Sequence, residues 1–209
     1  MTVEQSDITI NGLTVTNFGC FGGAITLKQG TTALISNSFL IKNVKPNQSC
    51  AGLKVYDGAG NPPSDVTLNN VTIDGNAGHS GGGISAVGEY RGDDRPTLTM
   101  IDCKVTNNIA DYRGAGIYVD GAALFLKGVM FKDNVDKGSN PRKDIENDVY
   151  LDMNANCQDC WTSSIDISQC PEDEFKTIDE GSISVDLYPY GPDGPGAPVD
   201  PRSYSCVPK

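Results

Sequence analysis

Two alternating apolar positions, a two-residue turn, two more alternating apolar positions and an asparagine: this pattern returns five times along the chain, and no other feature restricts the fold as strongly. It runs Ile8, Ile10, Asn11-Gly12, Leu13, Val15, Asn17, and then Leu34, Ser36, Asn37-Ser38, Phe39, Ile41, Asn43. It continues as Val66, Leu68, Asn69-Asn70, Val71, Ile73, Asn76, and as Leu98, Met100, Ile101-Asp102, Cys103, Val105, Asn107-Asn108. The last copy is Leu124, Leu126, Lys127-Gly128, Val129, Phe131, Asn134. Ile10, Ser36, Leu68, Met100 and Leu126 mark the register, at separations of 26, 32, 32 and 26. A second series follows in step. After each asparagine comes a turn, Gly-rich in most copies, and a short strand led by Ile25, Leu53, Ile84, Ile117 or Val149, at separations of 28, 31, 33 and 32.

Period-two alternation means strands with one buried face, and no run of ten residues has helical spacing. Like strands about 30 residues apart, joined by loops and stacking the same residue types, predict an all-β, right-handed parallel β-helix solenoid of five to six coils. At about 4.8 Å per coil, five coils rise about 24 Å. The turn asparagines Asn17, Asn43, Asn76, Asn108 and Asn134 are expected to adopt the left-handed conformation and to hydrogen-bond their amides from coil to coil as a ladder.

The Gly22-Gly23-Ala24-Ile25 run together with Phe131-Lys132-Asp133-Asn134 resembles the repeats of the chlamydial polymorphic outer membrane proteins and of the wider pectin-lyase-like right-handed β-helix superfamily. The resemblance covers roughly residues 7–153. It implies a fold rather than a function, because that superfamily contains lyases, hydrolases, epimerases, adhesins and surface proteins.

Seven cysteines among 209 residues fit an oxidising compartment better than a reducing one. Cys20 and Cys50 fall in the same loop of adjacent coils and are expected to pair. Cys103 takes an inward slot, aligned with Leu13, Phe39, Val71 and Val129, where a thiol behaves as a small hydrophobe. Cys157, Cys160, Cys170 and Cys206 remain, an even set with three possible connectivities. A zinc reading of Cys157-x-x-Cys160 lacks a closely spaced second pair, since the one histidine, His79, lies in a distant loop. The expected organisation is a β-helix over residues 1–153, a disulfide-braced C-terminal cap over 154–187, and an extended Pro/Gly-rich tail over 188–209 pinned by Cys206. Within the cap, Ile165, Ile167 and Cys170 repeat the pattern of Leu98, Met100 and Cys103, which begins a sixth coil, and Ser182–Leu187 supplies one more strand.

The net charge of −11 argues against a nucleic acid or an anionic membrane as partner. Residues 1–153 hold 13 basic and 17 acidic side chains, net −4, whereas residues 154–209 hold 3 and 10, net −7, so the acidity belongs mainly to the last quarter. No apolar run is long enough to span a bilayer. MTVEQSDITI has no basic segment leading an apolar one, and with the cysteines this suggests a mature or trimmed secreted chain, extracellular or at a cell surface.

The outward slots of the first strands read Thr9, Ile35, Thr67, Thr99, Phe125, and those of the following strands Thr14, Leu40, Thr72, Lys104, Met130. In the second series they read Thr26, Lys54, Ser85, Tyr118, Tyr150. None is a carboxylate, so these faces lack the acid pair of a glycosidase, and Asp57, Asp65, Asp93, Asp94, Asp111 and Asp120 with Arg91, Arg95 and Arg113 read as solvated loop charges. Arg91-Gly92-Asp93 reads as a surface turn, Trp161 as packing for the cap, and His79 as a loop histidine without a nucleophile motif. Asn47-Gln48-Ser49 and Asn70-Val71-Thr72 are glycosylation sequons. No catalytic residue, metal site or cofactor is assigned. The expected function is a non-catalytic structural or adhesive module that meets further domains or other subunits at its ends, with glycans as possible ligands. The alternative is a carbohydrate-active β-helix.

Overall fold

The structure, a computed structural model, describes residues 1–19, 22–44, 50–88, 95–137, 145–146, 149–153, 164–169, 182–183, 185–189 and 204–205, with side chains described only within 1–137 and at Val149 and Tyr150. These residues form an all-β arrangement dominated by parallel sheets, with no helix among them.

Alternating β-branched and aliphatic residues place three strands in each repeat. The first sheet takes Asp7–Asn11, Thr32–Ser36, Asp65–Asn69, Thr97–Ile101, Ala123–Lys127 and Ser164–Gln169, paired parallel in that order. A short sheet takes Thr14–Thr16, Phe39–Ile41, Thr72–Asp74, Lys104–Thr106 and Met130–Lys132. The large sheet takes Thr2–Glu4, Gly22–Lys28, Cys50–Asp57, Ile84–Gly88, Ile117–Asp120, Val149–Met153 and Val185–Pro189. A side run of Ala77–Ser80, Ile109–Arg113 and Val135–Asp136 joins it through an antiparallel bridge between Ala77 and Cys50. The chain visits the sheets in the same order in each repeat and returns one strand further along.

In the large sheet Ile25, Leu53, Ile84, Ile117 and Val149 are mutual register partners, the alignment their spacing predicts. Strand Ser164–Gln169 places Ile165 on Leu124 and Ile167 on Leu126, and Val185–Pro189 adds to Val149–Met153, so the sheets continue past residue 153. Strand pairing extends through Pro189, two residues into the range read as tail.

The second repeat departs from its expected register by one residue. Ile35, not Ser36, pairs with Ile10 and Leu68. Ile35 is 0% exposed while Leu34 is 41% exposed, and Leu40 is 0% exposed while Phe39 is 45% exposed, so Ile35 and Leu40 point inward and Leu34 and Phe39 outward, reversing the expected faces. The turn decides this. Gly12, Asn37, Asn70, Asp102 and Gly128 all have positive φ and share one position in the repeat, so Asn37 belongs in that row. Ser38 then falls in the inward column of Leu13, Val71, Cys103 and Val129, where its hydroxyl donates to Ser36 O and accepts from Leu13 N–H. A buried polar group satisfied in this way is tolerated, and a one-residue shift reverses every side chain of the strand.

The asparagine ladder is built from Asn43, Asn76, Asn108 and Asn134, all fully buried. Asn43 Nδ2 donates to Asn76 Oδ1 at 2.9 Å, Asn76 Nδ2 to Asn108 Oδ1 at 3.1 Å, and Asn108 Nδ2 to Asn134 Oδ1 at 3.0 Å. Each Oδ1 also accepts the backbone N–H of the preceding rung, at 3.0–3.2 Å. Each Nδ2 also donates to a carbonyl of the preceding repeat: Val15, Leu40, Ile73 and Val105 in turn. Asn17 is not a rung. It is exposed with φ +54°, in the left-handed row of Lys42, Gly75, Asn107 and Asp133, and the rung position beside Asn43 is held by Phe18, whose N–H donates to Asn43 Oδ1. The rungs themselves lie one residue beyond the left-handed row, because the amide must point inward while the turn residue points out.

Glycine enters where layers touch. A Cβ on Gly82 would lie 2.2 Å from Ile109 O, and one on Gly83 2.6 Å from Gly116 O, so the Gly81-Gly82-Gly83 run permits contact with the next repeat.

Removing the Asn76 amide strands buried donors and acceptors on both sides. Asn76→Ala is expected to cost about 3–5 kcal/mol, several unsatisfied groups at about 1–3 kcal/mol each, whereas Asn17→Ala costs under about 1 kcal/mol. Urea unfolding of the two variants, followed by circular dichroism, checks this order.

Candidate functional site

The outer face of the first sheet carries a trough of about 340 Å³ across Asp7–Asn11, Thr32–Ser36 and Asp65–Asn69. Asp7, Thr32 and Asp65 are direct register partners and all are exposed. Thr9, Leu34 and Thr67 form the next outward row. Two strand spacings put the Asp7 and Asp65 positions about 9.6 Å apart. This face therefore does hold two carboxylates, which corrects the expectation of none. The signal lay one step of alternation before Thr9 and Thr67, where Asp65 passed for a loop residue. Among the described residues no hydrogen bond or ion pair reaches either carboxylate. Acid–base hydrolysis of a glycoside needs two carboxyls in contrasting environments, whereas these two occupy equivalent, exposed positions.

Asp57 is not a solvated loop charge. It is fully buried, and its carboxylate accepts from Gln29 N–H, from Ser64 N–H at 2.6 Å and from Ser64 Oγ at 2.7 Å, while Ser64 Oγ also accepts from Thr31 N–H. The group joins two successive turns entering the first sheet, and its carboxylate is engaged by two backbone amides and a hydroxyl.

The side run gathers an aromatic array. His79 stacks on Tyr112 with ring centroids 5.4 Å apart and planes within 5°, next to a register irregularity between Gly78 and Ser80. The Arg113 guanidinium lies 4.5 Å from the Tyr112 ring centroid and 4.9 Å from that of Tyr150, which stacks on Tyr118. Tyr150, expected to face outward, is 2% exposed. His79 is thus held by a ring of another strand, and Arg113 by the ring of its sequence neighbour Tyr112 together with that of Tyr150 on the large sheet, a cross-strand contact that sequence spacing does not reveal.

Asn70 is exposed, but its Nδ2 donates to Asn37 Oδ1 at 2.8 Å, and Asn37 Nδ2 donates to Asn11 Oδ1 at 2.9 Å. The nitrogen that a glycan would take is a rung of an outer ladder. Asn47, Arg91-Gly92-Asp93, Asp94, Trp161, Cys20, Cys157, Cys160, Cys170 and Cys206 lie outside the described residues, as does the side chain of Cys50. The Cys50 backbone pairs with Gly22. Among the described residues no three His, Cys, Asp or Glu side chains gather as metal ligands, and no helix is long and apolar enough to cross a membrane.

Cys103 is a free, buried thiol whose Sγ donates to Ile101 O at 3.2 Å. No family model, curated protein or solved structure matches the chain.

Burial pushes the Cys103 thiol up from 9.0 to about 11. The folded state holds this proton more tightly than the unfolded chain does, so its contribution to stability is complete below pH about 9 and is lost as pH rises through about 11. Cys103→Val, matching Val71 and Val129 in the same column, is expected to remove a loss of roughly 2–3 kcal/mol across that window. Comparing urea midpoints of the two proteins at pH about 8 and about 11 measures the difference.

Proposed function

We propose that this chain is a non-catalytic extracellular structural or adhesive module, a right-handed parallel β-helix of the pectin-lyase-like kind, that takes part in a larger surface or filament-like assembly. The observation that supports this most directly is the buried Asn43–Asn76–Asn108–Asn134 ladder, which makes successive repeats equivalent layers. A layered structure of this type invites further layers, because the edge strands Asp7–Asn11 and Thr14–Thr16 and the turn between them carry Ile8, Ile10, Leu13 and Val15 only partly buried against the core. Further chain or another subunit completes that burial. In this reading Cys20–Cys50 and two bridges among Cys157, Cys160, Cys170 and Cys206 brace the module, and its acidic C-terminal quarter meets basic partners. The alternative is a carbohydrate-active protein, to which the Asp7–Asp65 pair offers two carboxylates on one face but not the contrasting environments of an acid–base pair.

Sedimentation velocity over a wide concentration range is expected to show association, or a partner is recovered by pull-down from the source; a monomer at all concentrations with no partner recovered overturns the assembly reading. Release of unsaturated or reducing-end products from acidic or neutral polysaccharides would establish the alternative instead. Peptide mapping without reduction is expected to yield a linked Cys20–Cys50 pair and an alkylatable Cys103; a reduced Cys20 in protein from an oxidising compartment removes the proposed brace.

A further inference from the structure

We infer that the edge strand Asp7–Asn11 pairs antiparallel with the same strand of a second copy of this chain, about a two-fold axis at Thr9. The inference rests on the assembly reading and names the partner of one edge. Asp7–Asn11 ends the first sheet: among the described residues Thr32–Ser36 alone pairs with it. Ser6 O accepts from Thr32 N–H and Gly12 N–H donates to Ser36 O, both at 3.1 Å, so the backbone groups of Ser6, Ile8, Ile10 and Gly12 face the next repeat. Alternation turns the N–H and C=O of Asp7, Thr9 and Asn11 the other way, off the open edge. The side chains of the same three residues are exposed.

This strand is complementary to itself in reverse. Set antiparallel about Thr9, Asp7 lies opposite Asn11, Ile8 opposite Ile10, and Thr9 opposite its own copy. The residues with open backbone groups thereby face one another, and each such pair exchanges both its N–H···O bonds. The side chains agree with that register. An outer ladder runs from Asn70 Nδ2 to Asn37 Oδ1 and from Asn37 Nδ2 to Asn11 Oδ1, so its last donor, Asn11 Nδ2, is directed off the edge. The Asp7 carboxylate accepts no hydrogen bond and meets no cation among the described residues. Antiparallel pairing brings the Asn11 donor of each copy to the Asp7 carboxylate of the other, a charge-assisted hydrogen bond made twice by symmetry. It also holds the two Asp7 positions about 13 Å apart along the strand, whereas a parallel copy in register sets like charges directly opposite. On the inner side Ile8 and Ile10, only partly buried against the core, close over their copies, and Val3, Leu13 and Val15 gain cover from the same apposition.

The test is sedimentation equilibrium of the full 209-residue chain and three variants. The unaltered chain is expected to form a reversible dimer. Asn11→Asp places a carboxylate opposite Asp7 in both symmetric pairs and is expected to weaken the dimer about tenfold. Adding Asp7→Asn to it exchanges the two groups and is expected to restore the affinity to within about twofold, a rescue that follows only from the register about Thr9. Thr9→Pro removes the central open N–H, which an edge strand tolerates, and is expected to leave a monomer; unchanged amide spectra away from the strand establish that the fold is intact. If Thr9→Pro does not fold, the exchange of Asp7 and Asn11 decides alone. A dimer or larger assembly that persists in folded Thr9→Pro, or that the exchange fails to restore, overturns this pairing and leaves the assembly reading standing. A monomer at all concentrations also overturns the pairing, and the assembly reading falls with it only when no partner is recovered from the source.

Discussion

Each buried asparagine amide in this protein must find its partners in the neighbouring repeats, and that requirement governs the geometry of the stack. A carboxamide has two donors and an acceptor oxygen with two lone pairs. Along the ladder Oδ1 accepts both the N–H and the Nδ2 of the preceding rung, and Nδ2 reaches the next Oδ1 and a carbonyl behind. With nearly all of this capacity used, a rung displaced by one residue would leave several polar groups buried and unpaired at once. The ladder therefore fixes the relative position of repeats more strictly than apolar packing, which accepts any side chain of suitable size.

Turn conformation is the second constraint, and it overrides hydropathy where the two disagree. In the second repeat both registers supply apolar residues to the core: Leu34, Phe39 and Ile41 in one, Ala33, Ile35 and Leu40 in the other. Only the second puts Asn37 in the left-handed row, where asparagine, aspartate and glycine are tolerated. It also buries Ser38, which hydropathy disfavours, but Ser36 O and Leu13 N–H satisfy its hydroxyl. The outward exposure of Leu34 and Phe39, and with it the character of the outer surface, follows from this choice.

With the interior committed to stacking, distinct chemistry is left to the outer faces and to the ends. The outer rows vary from Thr9 and Leu34 to Phe125, with no ladder to conserve their type. A binding surface on such a scaffold is assembled from residues about 25–33 apart in sequence that share a register row. Asp7, Thr32 and Asp65 are one such row, and His79 with Tyr112 forms another contact of the same kind. The rigid spacing that makes the repeats equivalent layers also holds groups on the surface at fixed multiples of the strand separation.

Much of this was legible from sequence. Period-two alternation and the two recurring series gave the all-β parallel arrangement, the large-sheet register from Ile25 to Val149, the inward place of Cys103 and four of the five ladder asparagines, because each depends on a pattern local to one repeat. Other features depend on contacts between repeats. Asn17 and the rung asparagines look alike in sequence, yet one faces solvent from a left-handed turn while the others donate inward. Asp57 reads as a loop charge until the amides of Gln29 and Ser64 converge on it. Leu34 and Ile35 are adjacent and equally apolar, and only the alignment of Asn37 with its neighbours decides which is buried. Local pattern thus determined what kind of layers the chain makes; the hydrogen bonds between layers decided which residue stands where, because satisfying a buried polar group requires a particular partner at a particular distance.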